Sequence, residues 1–449
     1  MAQTHALAGA LLKRKYGPGI HDQLNNETIA FGIFKKIGKE RWGGSNFFHS
    51  LRTARNRTTR PGGEQTALPA SGRQIFANAQ VGCRLYHGTG GFTAFGAAAS
   101  EGNDTAFGEM IKVEVDGLIA DARKDFNVDT YGTPMGVLAQ VAGVAGAVLT
   151  LDQVQNLNAW RSHGNRYISV GQSLDVIDVA GAPGTVLGTN TVASVDPATR
   201  TVITLNGAIA GVAAGDLVVR TGTQTTLAPG FRALNGLEHL IDDTTTMPTA
   251  VGAAGVQLDT LEGIDRNTLD ALGAPNNNEF WRGNVMDLGG VAMTEASLQN
   301  LVYRTEERSG TYPDLFLTHR SVQYAIQQLM VGDRRFVPQT FPGGFKAEAL
   351  VYNAGDRDIP IVVDRECPYD RLYSINLDAM HNYVLRDVEL IEEDGSVLRQ
   401  SGGGGDEWDF SFRAFFNLGT TQPNALGKMV RIGGADEAFG IGAARVYDF

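Results

Sequence analysis

The chain has almost no cysteine. Cys83 and Cys367 are the only two in 449 residues, and their spacing matches no metal or redox motif. That excludes a disulfide-built secreted scaffold and fits a reduced, cytoplasmic setting. Charge is sparse as well, at 19% Asp, Glu, Lys and Arg, but hydrophobic residues reach 43%, so the chain is not a disordered one. Long apolar runs are missing. The stretch 136–151 is too short, too rich in Gly and Ala and interrupted by Gln140, so it does not read as a membrane span. The apolar run at 6–12 precedes its basic residues, the reverse of a secretory signal, and a soluble protein is expected.

Catalytic signatures are missing too. The chain contains no Gly-X4-Gly-Lys-Ser/Thr loop, no Gly-X-Ser-X-Gly elbow and no His-Glu-X-X-His pair. Its eight histidines are scattered, and His319, just after a capping position, reads as a surface or capping residue. The glycines at 402–405 lack the Lys and the strand-to-helix setting of a phosphate cradle, and read as a flexible loop. Asp356, Asp358 and Asp364 could gather a hard cation, but without EF-hand spacing a solvated acidic loop is the simpler reading. Glu389, Glu392, Glu393 and Asp394 likewise read as a solvated hairpin. No catalytic, cofactor or metal residue is assigned, and no aromatic-interleaved basic stripe suggests single-stranded nucleic acid as a partner.

What is present is length enough for two or three domains, many glycines, and an uneven charge. The net charge is −11, which argues against a surface that binds nucleic acid all over. Before Phe76 twelve basic residues face four acidic ones, about +8, which leaves about −19 in the remainder. Two readings fit: a basic arm lying on acidic surface of a neighbouring copy or near packaged DNA, and an ordinary asymmetry of a soluble protein.

The strongest periodic signal runs from Asp104 to Tyr131. Phe107, Ile111, Val115, Leu118, Ala122 and Phe126 recur at helical spacing. Glu109, Lys112, Asp116, Asp121, Lys124 and Asp125 fall on the opposite face, toward solvent or another subunit. Asp104 or Thr105 can cap the start, and Gly132 with Pro134 closes the end. A helix of this length makes a rod of about 40 Å. Ahead of it, Ile75, Ala77, Ala79, Val81, Cys83 and Leu85 alternate with Phe76, Asn78, Gln80, Gly82, Arg84 and Tyr86. With 47–58 and the turn chemistry of 60–64, this predicts a long two-stranded extension with a loose basic tip, marginal on its own. Residues 4–16 could form a short amphipathic helix, and 17–41 carries few core signals. Short β-branched strands at 174–179, 191–195, 201–205 and 217–220 predict a separate β unit at 167–222. Helices capped by Thr294 and Thr318 follow, ending at Gly310 and Gly332, with strands at 315–317, 359–363 and 372–375. Strand-like runs fill 383–449.

The order of these elements resembles the major capsid proteins of tailed bacteriophages, whose fold is shared with encapsulins and the herpesvirus capsid floor. The resemblance is carried by Asp125-Phe126-Asn127 leading into Tyr131-Gly132-Thr133-Pro134-Met135-Gly136, and by Gly263-Ile264-Asp265-Arg266 with Phe280-Trp281-Arg282. Thr133-Pro134-Met135 replaces the short Gly-containing spacer usual in that family.

The resemblance implies an α+β fold of the phage-capsid type: N-terminal arm, extended β-hairpin loop, long spine helix, peripheral and axial domains, and an inserted small β module. The boundaries expected are 1–40 for the arm, 41–100 for the hairpin loop and 101–166 for the spine helix and start of the peripheral domain. The inserted module takes 167–222, the peripheral domain 223–293, the axial domain 294–376, and 377–449 returns to the peripheral domain.

It also implies a non-enzymatic structural role in the virion: self-assembly, in the host cytoplasm, into an icosahedral shell around double-stranded DNA. Partners implied are further copies of the chain in hexamers and pentamers, a portal protein, room for a decoration protein, and non-specific contact with the packaged DNA; no membrane is involved. Because arm-like residues begin near Met1, a separate scaffolding protein or an already removed precursor segment is expected. Arg52, Arg55, Arg57 and Arg60 of the hairpin are the candidate inter-subunit contacts. The alternatives are an encapsulin-like cage around a cargo protein and, further off, a metal-dependent enzyme built on the three aspartates.

Overall fold

A computed structural model describes residues 28–36, 39–41, 44, 46–54, 56, 58–64, 67–68, 70–93, 104–151, 164–179, 184–197, 199, 201–223, 232–243, 250–251, 256–257, 260–266, 279–331, 350–354, 357–392, 399–400 and 407–433. Helix α1 (Ile29–Lys36) lies against helix α2 (Asp104–Thr130), an unbroken rod of 27 residues. Along α2 the apolar stripe turns inward at Ala122 and Phe126, while Glu114, Asp116 and Asp121 stay exposed. Phe31 and Phe34 of α1 are buried with them, and the Phe31, Phe126 and Phe416 rings pack at 5.1–5.7 Å. A helix of two turns lies where few core signals were expected. Its order comes from tertiary contact, since eight residues are too few to hold a helix in water.

Both helices rest on a five-stranded sheet. Met380–Leu390 and Glu407–Thr420 form its antiparallel centre. Lys39–Arg41 pairs parallel to the first of these, and Arg84–Thr93 and Arg399–Gln400 pair antiparallel to the second. The alternating run from Ile75 is therefore divided at Cys83. Ile75–Gly82 pairs with Asn46–Ala54 in a separate two-stranded hairpin, and Arg84–Thr93 joins the sheet. Every described residue from 59 to 74 is exposed, so the tip stands clear of the body.

A second sheet carries six strands in the order Asn284–Asp287, Gly427–Val430, Leu372–Ile375, Leu315–Thr318, Asp358–Val363 and Leu350–Asn353. Helices α3 (Glu295–Ser309) and α4 (Arg320–Val331) accompany it, with Leu298, Leu301, Val302, Val322 and Ile326 in its core. Thr294 starts α3 through a reciprocal capping box with Ser297, and Gly310 ends it in the left-handed region at φ 75°. At α4 the cap differs from the expectation. His319, buried, accepts the Ser321 amide at 3.1 Å through Nδ1, while the Thr318 hydroxyl donates to the Arg371 carbonyl. The sheet also takes in Asn284–Asp287 and Gly427–Val430, which lie outside the 294–376 expected for the axial domain.

The third unit is a closed six-stranded barrel. It contains Ser173–Ile177, Val186–Val195, Val202–Leu205 and Leu217–Arg220, within the range read as an inserted module. Val137–Ala145 and Val148–Leu151 complete it, so the barrel begins right after the turn that ends α2. Val137–Ala145 is Gly- and Ala-rich and lacks clean alternation, and Val148–Leu151 is only four residues long, which hides both in the sequence. Val128, on the last turn of α2, is buried in the barrel's hydrophobic cluster. Entry and exit lie side by side, with Val137 paired to Val219. The residues 1–16, Gly332 and Gly402–Gly405 lie outside the described residues.

Candidate assembly surfaces

The two sequence motifs that carried the resemblance prove to be joints. Asn127 accepts the Phe31 amide at 2.9 Å and donates to both Asp364 oxygens at 3.0 and 3.2 Å. Asp364 also accepts the amides of Ala30 and Glu366, both at 2.9 Å. A carboxylate at the first turn of α1 offsets its unpaired amides and its dipole. Asp364 is thus a buried anchor, with its oxygens filled by donors. Asp358 is exposed at the start of its strand, and Asp356 lies outside the described residues. Among the described residues no cluster of His, Cys, Asp or Glu is arranged to hold a metal.

Arg266, fully buried, donates to the carbonyls of Trp281, His239 and Leu240 at 3.1, 2.8 and 2.9 Å. Trp281 answers through Nε1 to the Leu261 carbonyl at 2.9 Å, and Arg282 donates to the Arg266 carbonyl. The guanidinium therefore caps the one-turn helix Leu237–Leu240, whose C-terminal carbonyls would otherwise be orphaned. That turn carries a group that no sequence pattern marks. Glu238 is buried and accepts Arg371 Nε at 2.9 Å, Tyr373 OH at 2.7 Å and Lys428 Nζ at 2.8 Å. Burial alone would push its carboxyl up. The Lys428 and Arg371 cations outweigh that, with hydrogen bonds from Lys428 and Tyr373, and hold it at about 2. The network fastens the one-turn helix to two neighbouring strands of the six-stranded sheet.

The barrel is clamped at its base. Arg220 pairs with Asp129 at 2.7 Å and Asp125 at 3.0 Å, so an acid expected on the free face of the spine helix is committed within the chain. Tyr86 donates to Asp129 at 3.0 Å and accepts the Leu234 amide at 2.8 Å, which ties in the sheet as well. On another side Tyr167 donates to the Glu366 carbonyl at 2.9 Å, and the Arg166 guanidinium lies 4.1 Å over the Tyr369 ring.

Among the described residues the hairpin is held by packing on one face: Phe47 lies on Tyr383 with ring centroids 4.8 Å apart, and Leu51 and Ala79 pack on the body's core cluster. Phe48, Ser50, Arg52, Phe76, Asn78 and Gln80 are exposed on one face of the ribbon, where Phe48 is 62% and Phe76 57% exposed. Among the candidate contact residues Arg52 is exposed on this face, and Arg60 is exposed at the tip, donating to the Ala67 carbonyl at 2.6 Å. Arg55 and Arg57 lie outside the described residues.

No protein-family profile matches this chain, and no curated protein matches it in sequence. Solved structures do. The subunit in the cyanophage A-1(L) capsid asymmetric unit aligns with 96% of this chain and 99% of its own length, at 13% identity and a TM-score of 0.54. The capsid of the native GTA particle covers 96% and 98% at 7% identity and a TM-score of 0.48. The holo-SrpI encapsulin complex from Synechococcus elongatus covers 96% and 97% at 8% identity and a TM-score of 0.43. Aligned nearly end to end with the cyanophage subunit, the chain has the fold of a phage major capsid protein.

Proposed function

We propose that this chain is the major capsid protein of a tailed phage, self-assembling into hexamers and pentamers of an icosahedral head that encloses double-stranded DNA. The observation that carries the reading is the end-to-end likeness to the cyanophage capsid subunit, with 96% of this chain and 99% of that one aligned. The role is structural rather than enzymatic, in the virion, with assembly in the host cytoplasm.

The projecting hairpin supports the same reading. Two strands bury too little to be independently stable, so such a ribbon gains its order by lying on another surface. Its exposed Phe48, Phe76 and Arg52 offer apolar and cationic contacts together. We place Arg52, Arg55, Arg57 and Arg60 against carboxylates of a neighbouring copy, which the acidic remainder of the chain supplies. The boundaries read from the sequence for the arm, hairpin, spine, peripheral and axial domains stay part of this proposal. The inserted module is extended to take in the barrel's first two strands. A separate scaffolding protein, a portal protein, a decoration protein at the barrel and non-specific contact with packaged DNA complete the set of partners.

Negative-stain microscopy of the expressed protein, alone and with its neighbouring gene products, tests the reading. Closed shells with nucleic acid inside after packaging are expected. Shells filled with one cargo protein would favour an encapsulin-like cage, and a chain that stays monomeric in every combination would overturn the assembly role. Uniform shells from this chain alone would remove the scaffolding partner.

A further inference from the structure

At the base of the hairpin sits a pair of buried titratable groups that the shell reading does not use. The strands Thr260–Leu261 and Ile264–Asp265 are joined by a two-residue turn, Glu262-Gly263, with φ of 53° and 81°. Glycine suits the second position. The first favours Asn, Asp or Gly, and a longer side chain there is strained. Glutamate instead reaches inward. Its Oε1 accepts the Thr420 amide at 2.8 Å, and its Oε2 lies 3.5 Å from His49 Nε2 of the hairpin. The same residue's carbonyl accepts the Gln80 amide at 2.7 Å, so one turn grips both hairpin strands. Gly419 leaves the space, since a Cβ there would stand 2.6 Å from Glu262 Oε1. Beside the pair a cavity of about 170 Å³ is lined by Gln80, Gly82, Glu262 and His239 among others, next to Cys83, where the alternating run changes sheets.

We propose that Glu262 and His49 form a latch, closed by one shared proton, that fastens the base of the hairpin to the subunit body and releases it as pH rises.

The chemistry follows from burial. An ionised carboxylate and a neutral imidazole would leave an uncompensated buried charge, as would a protonated pair carrying two protons. One proton between them satisfies both atoms. Other titratable or charged groups around the pair are His381 and Tyr383 of Met380–Leu390 and Arg266 of the adjoining turn; Arg84 and His239 stand across the cavity. Arg266 is committed to three carbonyls and pulls only weakly on the carboxyl. Burial therefore prevails and pushes Glu262 up to about 8, against the Thr420 amide and Arg266. Burial, then the neighbouring His381, pushes His49 below its ordinary 6.5.

The raised glutamate favours the closed state at low pH and loses that contribution as pH climbs from its ordinary 4.5 to about 8. The lowered histidine contributes above 6.5 and loses that contribution as pH falls below it. Between 4.5 and 6.5 the open chain also holds one proton, on the imidazole, and the two slopes cancel. Above 6.5 the open pair holds none, so closing takes up a proton and weakens about tenfold per pH unit until about 8.

The latch lies within one chain and holds whether or not the chain builds a shell. Nitroxide labels at Ser71→Cys on the hairpin tip and Glu307→Cys on α3, in a Cys83→Ser background, report docking by pulsed electron resonance on unassembled protein. The ratio of docked to released hairpin should be flat between pH 4.5 and 6.5 and fall about thirtyfold from 6.5 to 8. Glu262→Gln keeps both polar contacts without titrating, so docking should stay flat above pH 6.5 and weaken only below it, where the open chain alone protonates His49, with unchanged circular dichroism. His49→Gln should move the onset of release down toward 4.5, because the open chain then has no imidazole to hold the proton. A parent distance that ignores pH would overturn the latch. So would a Glu262→Gln profile matching the parent or, should that variant not fold, a His49→Gln onset that stays at 6.5.

Discussion

The barrel and the hairpin are both appendages on the same scaffold, and they solve the problem of edges in opposite ways. The barrel closes on itself, so all six strands are paired on both sides and its centre is a buried cluster of Val, Leu and Ile. Apart from the Gln80 amide held by Glu262, the hairpin's outer edges have no strand partner among the described residues, and it exposes Phe48 and Phe76. The barrel also ties its base to the spine helix through Arg220, whereas the hairpin rests on the body by one face and leaves its other face and its described tip residues exposed. A unit that satisfies its own edges can ride on a particle without touching anything else. One that does not is where we place the subunit contact in the proposed shell.

The largest effect that would test this contrast is a deletion. Replacing 137–222 with a short Gly/Ser linker should leave a soluble chain, because the barrel's entry and exit already pair at Val137 and Val219. Removing only 167–222 takes away four of six strands and leaves the remaining pair with both outer edges open and its apolar face uncovered, so that chain should be insoluble. Equal solubility of the two deletions would show that the barrel is not one cooperative unit.

Point changes should separate the regions next. Ile203→Ala empties part of the closed barrel core and should cost about 2–5 kcal/mol by chemical denaturation. Arg220→Ala strands the buried Asp129 and should cost about 3 kcal/mol. Phe48→Ala removes more atoms than Ile203→Ala but from an exposed face, so the unassembled chain should change by under about 0.5 kcal/mol. A loss of several kcal/mol for Phe48→Ala would mean that the ribbon is folded onto its own body.

How much of this was legible in the sequence depends on what a pattern reports. Periodicity reports which face is buried, so α2 and the strands at 315–317 and 372–375 stand within a residue or two of where they were expected. It does not report the partner. The alternation from Ile75 runs unbroken through Cys83, yet the chain passes there from the free ribbon into the five-stranded sheet. Helix α1 was hidden because its cap, Asp364, lies 334 residues away. The Gly- and Ala-rich strand Val137–Ala145 gave no period because small residues do not mark a face, and Val148–Leu151 is too short to show one. Glu238, Lys428 and Arg371 look like ordinary surface charges until the fold brings them together. Of the candidate contacts, Arg52 is exposed on the ribbon face and Arg60 at the tip, and Arg55 and Arg57 lie outside the described residues.

The two regions should also part in their response to pH. Glu238, held at about 2 against an ordinary 4.5, stabilises the body above pH 4.5 and loses that contribution as pH falls toward 2, about 3 kcal/mol in all. The body should therefore weaken in acid, as read by thermal unfolding, while the hairpin latch loosens in mild alkali. Glu238→Gln should flatten the acid limb alone.

The smallest effect per contact falls on the hairpin's charges. An exposed ion pair contributes only about 0–1 kcal/mol, but many copies act together in a closed shell. Arg55→Glu with Arg57→Glu should leave circular dichroism unchanged and block assembly or make it salt-sensitive by sedimentation. Parent-like assembly across a range of salt would move the contact elsewhere.

Hydrogen exchange on the chain before and after assembly tests the contrast most directly. The barrel strands, Leu217–Arg220 among them, should be equally protected in both states. The hairpin amides in 50–54 and 75–78 should exchange quickly in the unassembled chain and become protected only in particles. Hairpin amides as protected before assembly as after it would contradict the account, because the ribbon would then owe its order to its own subunit.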